Sequence, residues 1–544
     1  MHEVAAECTG RLALGSSHPR HKSGRRPEIA QDESDNVVLS VNVLLGIDEG
    51  IEKRDTQWAD GWAPPVRRSA SMPAMLVFLV VWCALGAQQP ASPKPQPETP
   101  QPGAGAQVHT GTSSGIDADT RLMNMLADHQ FLRLEGELDR MPPSQAQFYG
   151  GVLANRNNDL KRSIELLEPL VDQVASSGNT AQEKALRKAL AEDYLREGDW
   201  AKAAAAYQAL ETRLGDKLSS DEQSEIEMPV KMLPLAGNHP PMTADPCAPF
   251  VIPVTRNPLG LTDVPVFVDA RPQSWMLDPT LPFNLISRSH AKEAGLKLSD
   301  DAVTIHTLRG RTIKVYSTVV PRFTIGGQLT LRNMTAFVFE DKDYFFPQTN
   351  YQVEGVLGYS AMAAMGSITL TDSNRLYVEL DTQAQPPEKA ERMTDGVRFF
   401  LDGDQVILAL GGTGGAGDSF SRAEAEGEAR MFAIDAGSQQ TYMTSRFYDE
   451  HSADFANMKM ELFKLRGVED MTPVPSYDAQ TLPLTVGRTT VQFHFMPVLT
   501  QPLGSAALDD VYGLLGVDAL DQLGSYTFNY RTMRFSIRPS GARD

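Results

Sequence analysis

Cysteine is scarce: there are three in 544 residues, Cys8, Cys83 and Cys247, each in a differently composed region. That excludes a disulfide framework and a cysteine-based metal site. The ten histidines form no His-Glu-x-x-His and no pair at ligand spacing, so no metal and no cofactor is expected. Positive charge is in deficit, with 50 Lys plus Arg against 69 Asp plus Glu and a net charge of −19. Nucleic acid is therefore not an expected partner. Long apolar runs are nearly absent, yet 41% hydrophobic residues over this length suffice for several cores.

The one uninterrupted apolar run, Met75 to Ala87, follows Arg67 and Arg68 and precedes Gln88 and Gln89. It reads as a signal peptide over 72–87, shorter than the roughly 20 residues that a membrane span needs. The expectation is an exported chain, periplasmic or extracellular, or one anchored to the membrane if the signal stays uncleaved. Residues 1–71 are polar and weakly periodic, an extension without expected structure, and Met72 is the candidate start. Residues 88–116, rich in Pro, Gln, Gly, Ser and Thr, read as a disordered linker. Gly111-Thr-Ser-Ser-Gly115 within it matches the Gly-x-Ser-x-Gly pattern of serine hydrolases, but neither a preceding strand nor a following helix is expected, so it is rejected.

Over 117–215 apolar residues recur at helical spacing. Ala191 and Tyr194, then Gly198-Asp199-Trp200 at a turn, then Ala204 and Tyr207, resemble a tetratricopeptide repeat. A weaker copy turns at Asn158-Asp159-Leu160 and continues with Ile164, Leu167 and Leu170; Leu122 to Leu138 is a candidate third. The resemblance implies helices that hold a protein partner or brace the next domain, with their Tyr and Trp in the core.

After Pro240 and Pro241 short β-type runs predominate, such as Val264 to Val268, Thr312 to Val319, Met334 to Phe339, Ser367 to Leu370 and Leu376 to Leu380. Landmarks then recur in one order at a separation of 157 to 161 residues. Asp278 returns as Asp435, Ser287-Arg288 as Ser445-Arg446, Leu308-Arg309-Gly310 as Leu465-Arg466-Gly467, and Ile325-Gly326-Gly327 as Val486-Gly487. Gly355-Val-Leu-Gly358 returns as Gly513-Leu-Leu-Gly516. The region reads as two related β lobes, 249–381 and 395–540, joined by a Pro- and Glu-containing linker. The predicted fold class is thus multidomain α plus mostly β, a helical-repeat segment followed by a bilobal β domain.

Each lobe leads two apolar residues into an aspartate and, about 77 residues later, places an apolar-apolar-Gly element before a short helix. This resembles the retropepsin and pepsin superfamily of aspartic peptidases. The resemblance implies that Asp278 and Asp435 form a catalytic dyad supported by Thr280, Gly437 and Ser438, with Gly310 and Gly467 as candidate flap glycines over a peptide or protein substrate between the lobes. Like charges about 3 Å apart share one proton; the ionised member activates water and the protonated one donates to the developing oxyanion. This sequence departs from the family at Asp278-Pro279-Thr280, where a hydroxyl residue and a glycine are usual, and at Ala436 in the second loop. Asp269 sits at a hairpin turn and breaks the offset, so it is discounted. Gly412 to Gly417 fits a dinucleotide fingerprint, but the polar stretch behind it lacks an apolar face for packing on a sheet; it reads as a loop. Two functions follow: peptide-bond hydrolysis, or a catalytically inactive peptide-binding or assembly protein on the same scaffold.

Overall fold

The computed structural model describes residues 113–380, 396–411, 429–464, 473–503 and 509–538, without positions 238, 307–311, 348, 404 and 437–439. The apolar run Met75 to Ala87 and the linker up to 112 lie outside these, as do the Gly412 to Gly417 stretch and the join between the expected lobes at 382–394.

Helices come first: α1 (Ser113–Ala127), α2 (Phe131–Glu137), α3 (Pro143–Arg156), α4 (Leu160–Leu167), α5 (Val171–Ser177), α6 (Thr180–Glu197), α7 (Trp200–Leu214) and α8 (Ser220–Ala236). Their ends are written in local chemistry. Asp159, Asn179 and Asp199 each accept from the backbone N–H three residues on, at 3.4, 3.2 and 3.1 Å, while Gly178 and Gly198 close the preceding helices at φ 74° and 77°. Trp200, Tyr194 and Tyr207 are buried.

Two sequence expectations are corrected here. α1 begins at Ser113, inside the Gly111 to Gly115 motif and inside the expected linker, so a helix does follow that motif. Helix also continues past 215 as α8, despite Pro229 and Pro234 within it. A reciprocal capping box between Ser219 and Glu222 starts α8, and burial of Ile226, Met232, Leu233 and Ala236 outweighs the lost backbone donors. No helix among the described residues is long and apolar enough to cross a membrane.

From Thr243 onward the chain is mostly strand. A nine-stranded sheet is built from residues between 243 and 357, and a thirteen-stranded sheet runs from Met460–Phe463 through the C-terminal hairpin to Phe250–Pro253. Strands Ser367–Thr371 and Ser525–Asn529 pair antiparallel, with Thr369 opposite Thr527 and Ile368 opposite Phe528. Thr369 and Thr527 are equivalent positions, 158 apart, and their hydroxyls meet at 2.7 Å. An antiparallel pair centred on equivalent residues defines a local twofold axis, so the offset visible in the sequence is also the register of this pairing.

Alternation along the strands sorts side chains into two apolar layers. Trp275, Leu277, Ile286, Val338 and Leu357 pack in one cluster with Phe399, Leu408, Phe432 and Ile434. Their neighbours Met276, Leu285, Phe337, Val356, Phe400 and Ile407 face the other way, into a cluster that contains the helical core. The helices are thus a layer laid against the β region, and a buried ion cluster fastens it. Asp402, at the turn between Val397–Asp402 and Gln405–Leu410, contacts Arg156 at 2.9 Å and His129 at 3.2 Å, while Arg156 also reaches Glu192 at 2.9 Å.

Candidate functional site

The strand Arg271–Leu277 delivers Asp278, and Gly355–Leu357 runs parallel beside it with Leu357 opposite Leu277. The Asp278 N–H donates to the Leu357 carbonyl at 3.0 Å. The second half repeats this: Ile434 lies opposite Leu515 in a parallel pair, and the Asp435 N–H donates to the Leu515 carbonyl at 3.0 Å. Each loop is therefore tied to the apolar-apolar-Gly element through the same backbone atoms.

A second tie went unnoticed in the sequence although it obeys the same offset. Asn284 Oδ1 accepts from the Gly358 N–H at 3.1 Å, and its Nδ2 donates to Ser360 Oγ at 2.9 Å. At the equivalent positions Thr441 Oγ1 accepts from the Gly516 N–H at 2.8 Å and donates to Asp518. The glycine is required by space: a Cβ on Gly358 would stand 2.2 Å from the carbonyl oxygen of Phe283 and 2.6 Å from that of Leu281.

The departure at Pro279 and Thr280 is accommodated. Thr280 is not left-handed, and it donates twice to Asp278 Oδ1, from its N–H at 3.0 Å and from Oγ1 at 2.6 Å. The donor two residues after the aspartate survives the loss of glycine, and the hydroxyl displaced from position 279 reappears at 280. Asp278 Oδ2 is buried without a hydrogen-bond partner among the described residues, and the whole residue is 0% exposed. Burial holds the Asp278 carboxyl above its ordinary value, against the pull of the Thr280 hydrogen bonds.

Asp435 is buried too, at 8% exposure. Burial first, and then the negative Asp435, push the Tyr442 hydroxyl up, and Tyr442 is fully buried opposite Leu514. Tyr530 is raised in the same way, by burial and then by Tyr359 and Asp278. Neither tyrosine was singled out in the sequence. Asp269 occupies a turn at φ 44°, exposed, as its discounting required. Gly437 and Ser438 lie outside the described residues, as do Gly310 and Gly467; the strands flanking those last two, Val303–His306 with Thr312–Ile325 and Met460–Phe463 with Val474–Val486, pair as hairpins.

Residues 264–361 match the aspartyl protease family model. The match contains Asp278, Thr280, Asn284 and Gly358 and stops before the second aspartate. A retropepsin-like aspartic protease from Rickettsia conorii is similar at 20% identity over 24% of this chain and 98% of its own, with a TM-score of 0.18. No curated protein matches. The segment that holds Asp278 is aspartyl-protease-like.

The raised value of Asp278 has a consequence for stability. The native state binds this proton more tightly than the unfolded chain, so stability falls as pH rises from about 4 through the folded value. Asp278→Asn carries no such proton. Its melting temperature should exceed that of wild type at pH 7, and the advantage should vanish at pH 4 and below; an equal difference at both values would refute the assignment.

Proposed function

We propose that this chain is an exported aspartic peptidase, with Asp278 and Asp435 as a dyad between two β lobes and tetratricopeptide-like helices in front of them. The observation that carries the reading is the equivalence of the two aspartate loops, each tied by its N–H to Leu357 or Leu515 and braced by Asn284 or Thr441 through the following glycine. Burial favours the protonated form of Asp278, which suits it to donate a hydrogen bond to the developing oxyanion, while Asp435 takes the proton of the attacking water. Gly437 and Ser438 would support the second loop, and hairpins carrying Gly310 and Gly467 would close over an extended peptide. The apolar run Met75 to Ala87 supports export to the periplasm or beyond. The helical layer offers a surface for a protein partner.

A second reading, a peptide-binding or assembly protein without catalysis, is favoured by the complete burial of Asp278. Incubation of the full chain with unstructured peptides between pH 3 and 6, with and without a statine-type transition-state mimic, separates the two. The peptidase reading expects cleavage that the mimic abolishes. Stoichiometric binding of the mimic with no cleavage at any pH selects the second reading, and cleavage indifferent to the mimic contradicts both.

A further inference from the structure

Asp278 has no exposed surface, and the residues around it show what covers it. Met276, two positions before it, and Leu281 and Phe283, just after it, lie in the apolar cluster that contains the helical core. Val356, paired with Met276 on the neighbouring strand, belongs to the same cluster. Trp200, the first residue of α7, meets Phe337 edge-on at 6.2 Å, and Phe337 in turn packs on Phe283 at 5.1 Å. α8 lies against the hairpin of Val303–His306 and Thr312–Ile325, where Ile305, Ile313 and Val315 are buried and Ser317 Oγ donates to the Leu235 carbonyl. Tyr359, immediately after Gly358, donates to Asn158 Oδ1 at 2.7 Å in the turn between α3 and α4. The second half differs. Ala433, Tyr442 and Leu514 form a small cluster with Phe463, Leu499 and Val511 that contains no helical residue.

The helical cluster reaches the second half at Phe400, Ile407, Met431 and Val517, but the positions there equivalent to Met276 and Val356, namely Ala433 and Leu514, lie outside it. We propose that the helical layer is an inhibitory cap on the Asp278 loop, and that a peptide reaches this carboxylate only after the layer lifts from the β region, to which Asp402 and Arg398 fasten it. The proposal rests on the peptidase reading for its consequence, but the cap itself is a statement about packing. Its rim is polar where its centre is apolar. Asp402 sits among Arg156, Lys188 and His129, and Arg398 bonds Asn157 Oδ1 at 2.6 Å and pairs with Glu135. A partner that binds the outer face of the helices, or competes for Asp402, has a mechanical route to the site, because an interface of this kind opens as a unit.

The test is a reversible staple. Leu235→Cys with Ser317→Cys, in full chain whose native Cys8, Cys83 and Cys247 are serine, joins α8 to the hairpin at a point where a side chain already touches a backbone carbonyl. Two readouts are taken: amide hydrogen exchange over Met276 to Leu281, and binding of a labelled statine-type mimic. Oxidation should slow exchange and weaken binding by about tenfold or more, with both restored on reduction. Asp402→Asn should shift both the other way. If exchange responds to the staple while no form binds the mimic, the cap stands and the peptidase reading fails. If the mimic binds equally well with the staple closed and open, the cap is overturned and the peptidase reading survives. Exchange over Met276 to Leu281 that is the same in both states also overturns it.

Discussion

Asp402→Asn should lower the stability of the docked helical layer by about 3 kcal/mol, at the low end of what breaking a buried ion pair costs. The aspartate brings a β-region carboxylate into contact with Arg156, Lys188 and His129 together, and Arg156 retains Glu192 after the change. Burial works against the Asp402 charge, but Arg156, Lys188 and His129 together hold its carboxyl far below the usual carboxylate range. A depressed value contributes stability that is fully present above the unfolded value, near 4, and is lost as pH falls through the folded one. The difference in melting temperature between wild type and Asp402→Asn should therefore be flat from pH 8 to about 5 and shrink only below about 4. Thermal unfolding followed by circular dichroism at four or five pH values measures this. A variant as stable as wild type at pH 7 would show that the ion cluster does not fasten the layer.

How much of this was legible depends on whether the signal was local or periodic. The turns at Asn158-Asp159 and Gly198-Asp199 were readable because a capping aspartate and a left-handed residue are sequence-local devices, and both stand there. The offset of 157 to 158 relates Asp278 and Asp435, and each follows a strand paired in parallel with an apolar-apolar-Gly element, Leu277 opposite Leu357 and Ile434 opposite Leu515. The same offset would have found Asn284 with Thr441 and Ser360 with Asp518. Residue type hides that pairing, since asparagine and threonine do not look alike, although both offer an oxygen to the next loop's glycine N–H. The Asp278-Pro-Thr loop departs from the family by residue type, but in the fold Thr280 donates from both its N–H and its hydroxyl. α8 lies beyond the helical spacing read over 117–215, and the burial that sustains it across Pro229 and Pro234 is tertiary. For the same reason no pattern in the chain announced that the helices lie over the Asp278 side of the sheet.

The largest effect expected is on catalysis. Asp278→Asn and Asp435→Asn should each reduce the turnover number for a cleavable peptide by about 10^4-fold, near 5.5 kcal/mol of transition-state stabilisation. Asparagine keeps the shape and much of the hydrogen bonding, so in the proposed dyad the loss would be that of one shared proton and one negative charge, without which neither water activation nor oxyanion stabilisation is complete. On the proposed peptidase reading the two groups act as one unit, so the double variant should be no slower than either single one. Independent sites would instead multiply. The inhibitory cap lowers the rate of all forms alike and leaves these ratios unchanged.

The most direct measurement is therefore the turnover number of wild type, both single variants and the double variant on one peptide at one acid pH, with melting curves confirming that each is folded. Equal losses in all three variants are what a single site built from Asp278 and Asp435 requires. Wild-type turnover in Asp435→Asn, or losses that multiply in the double variant, would contradict it.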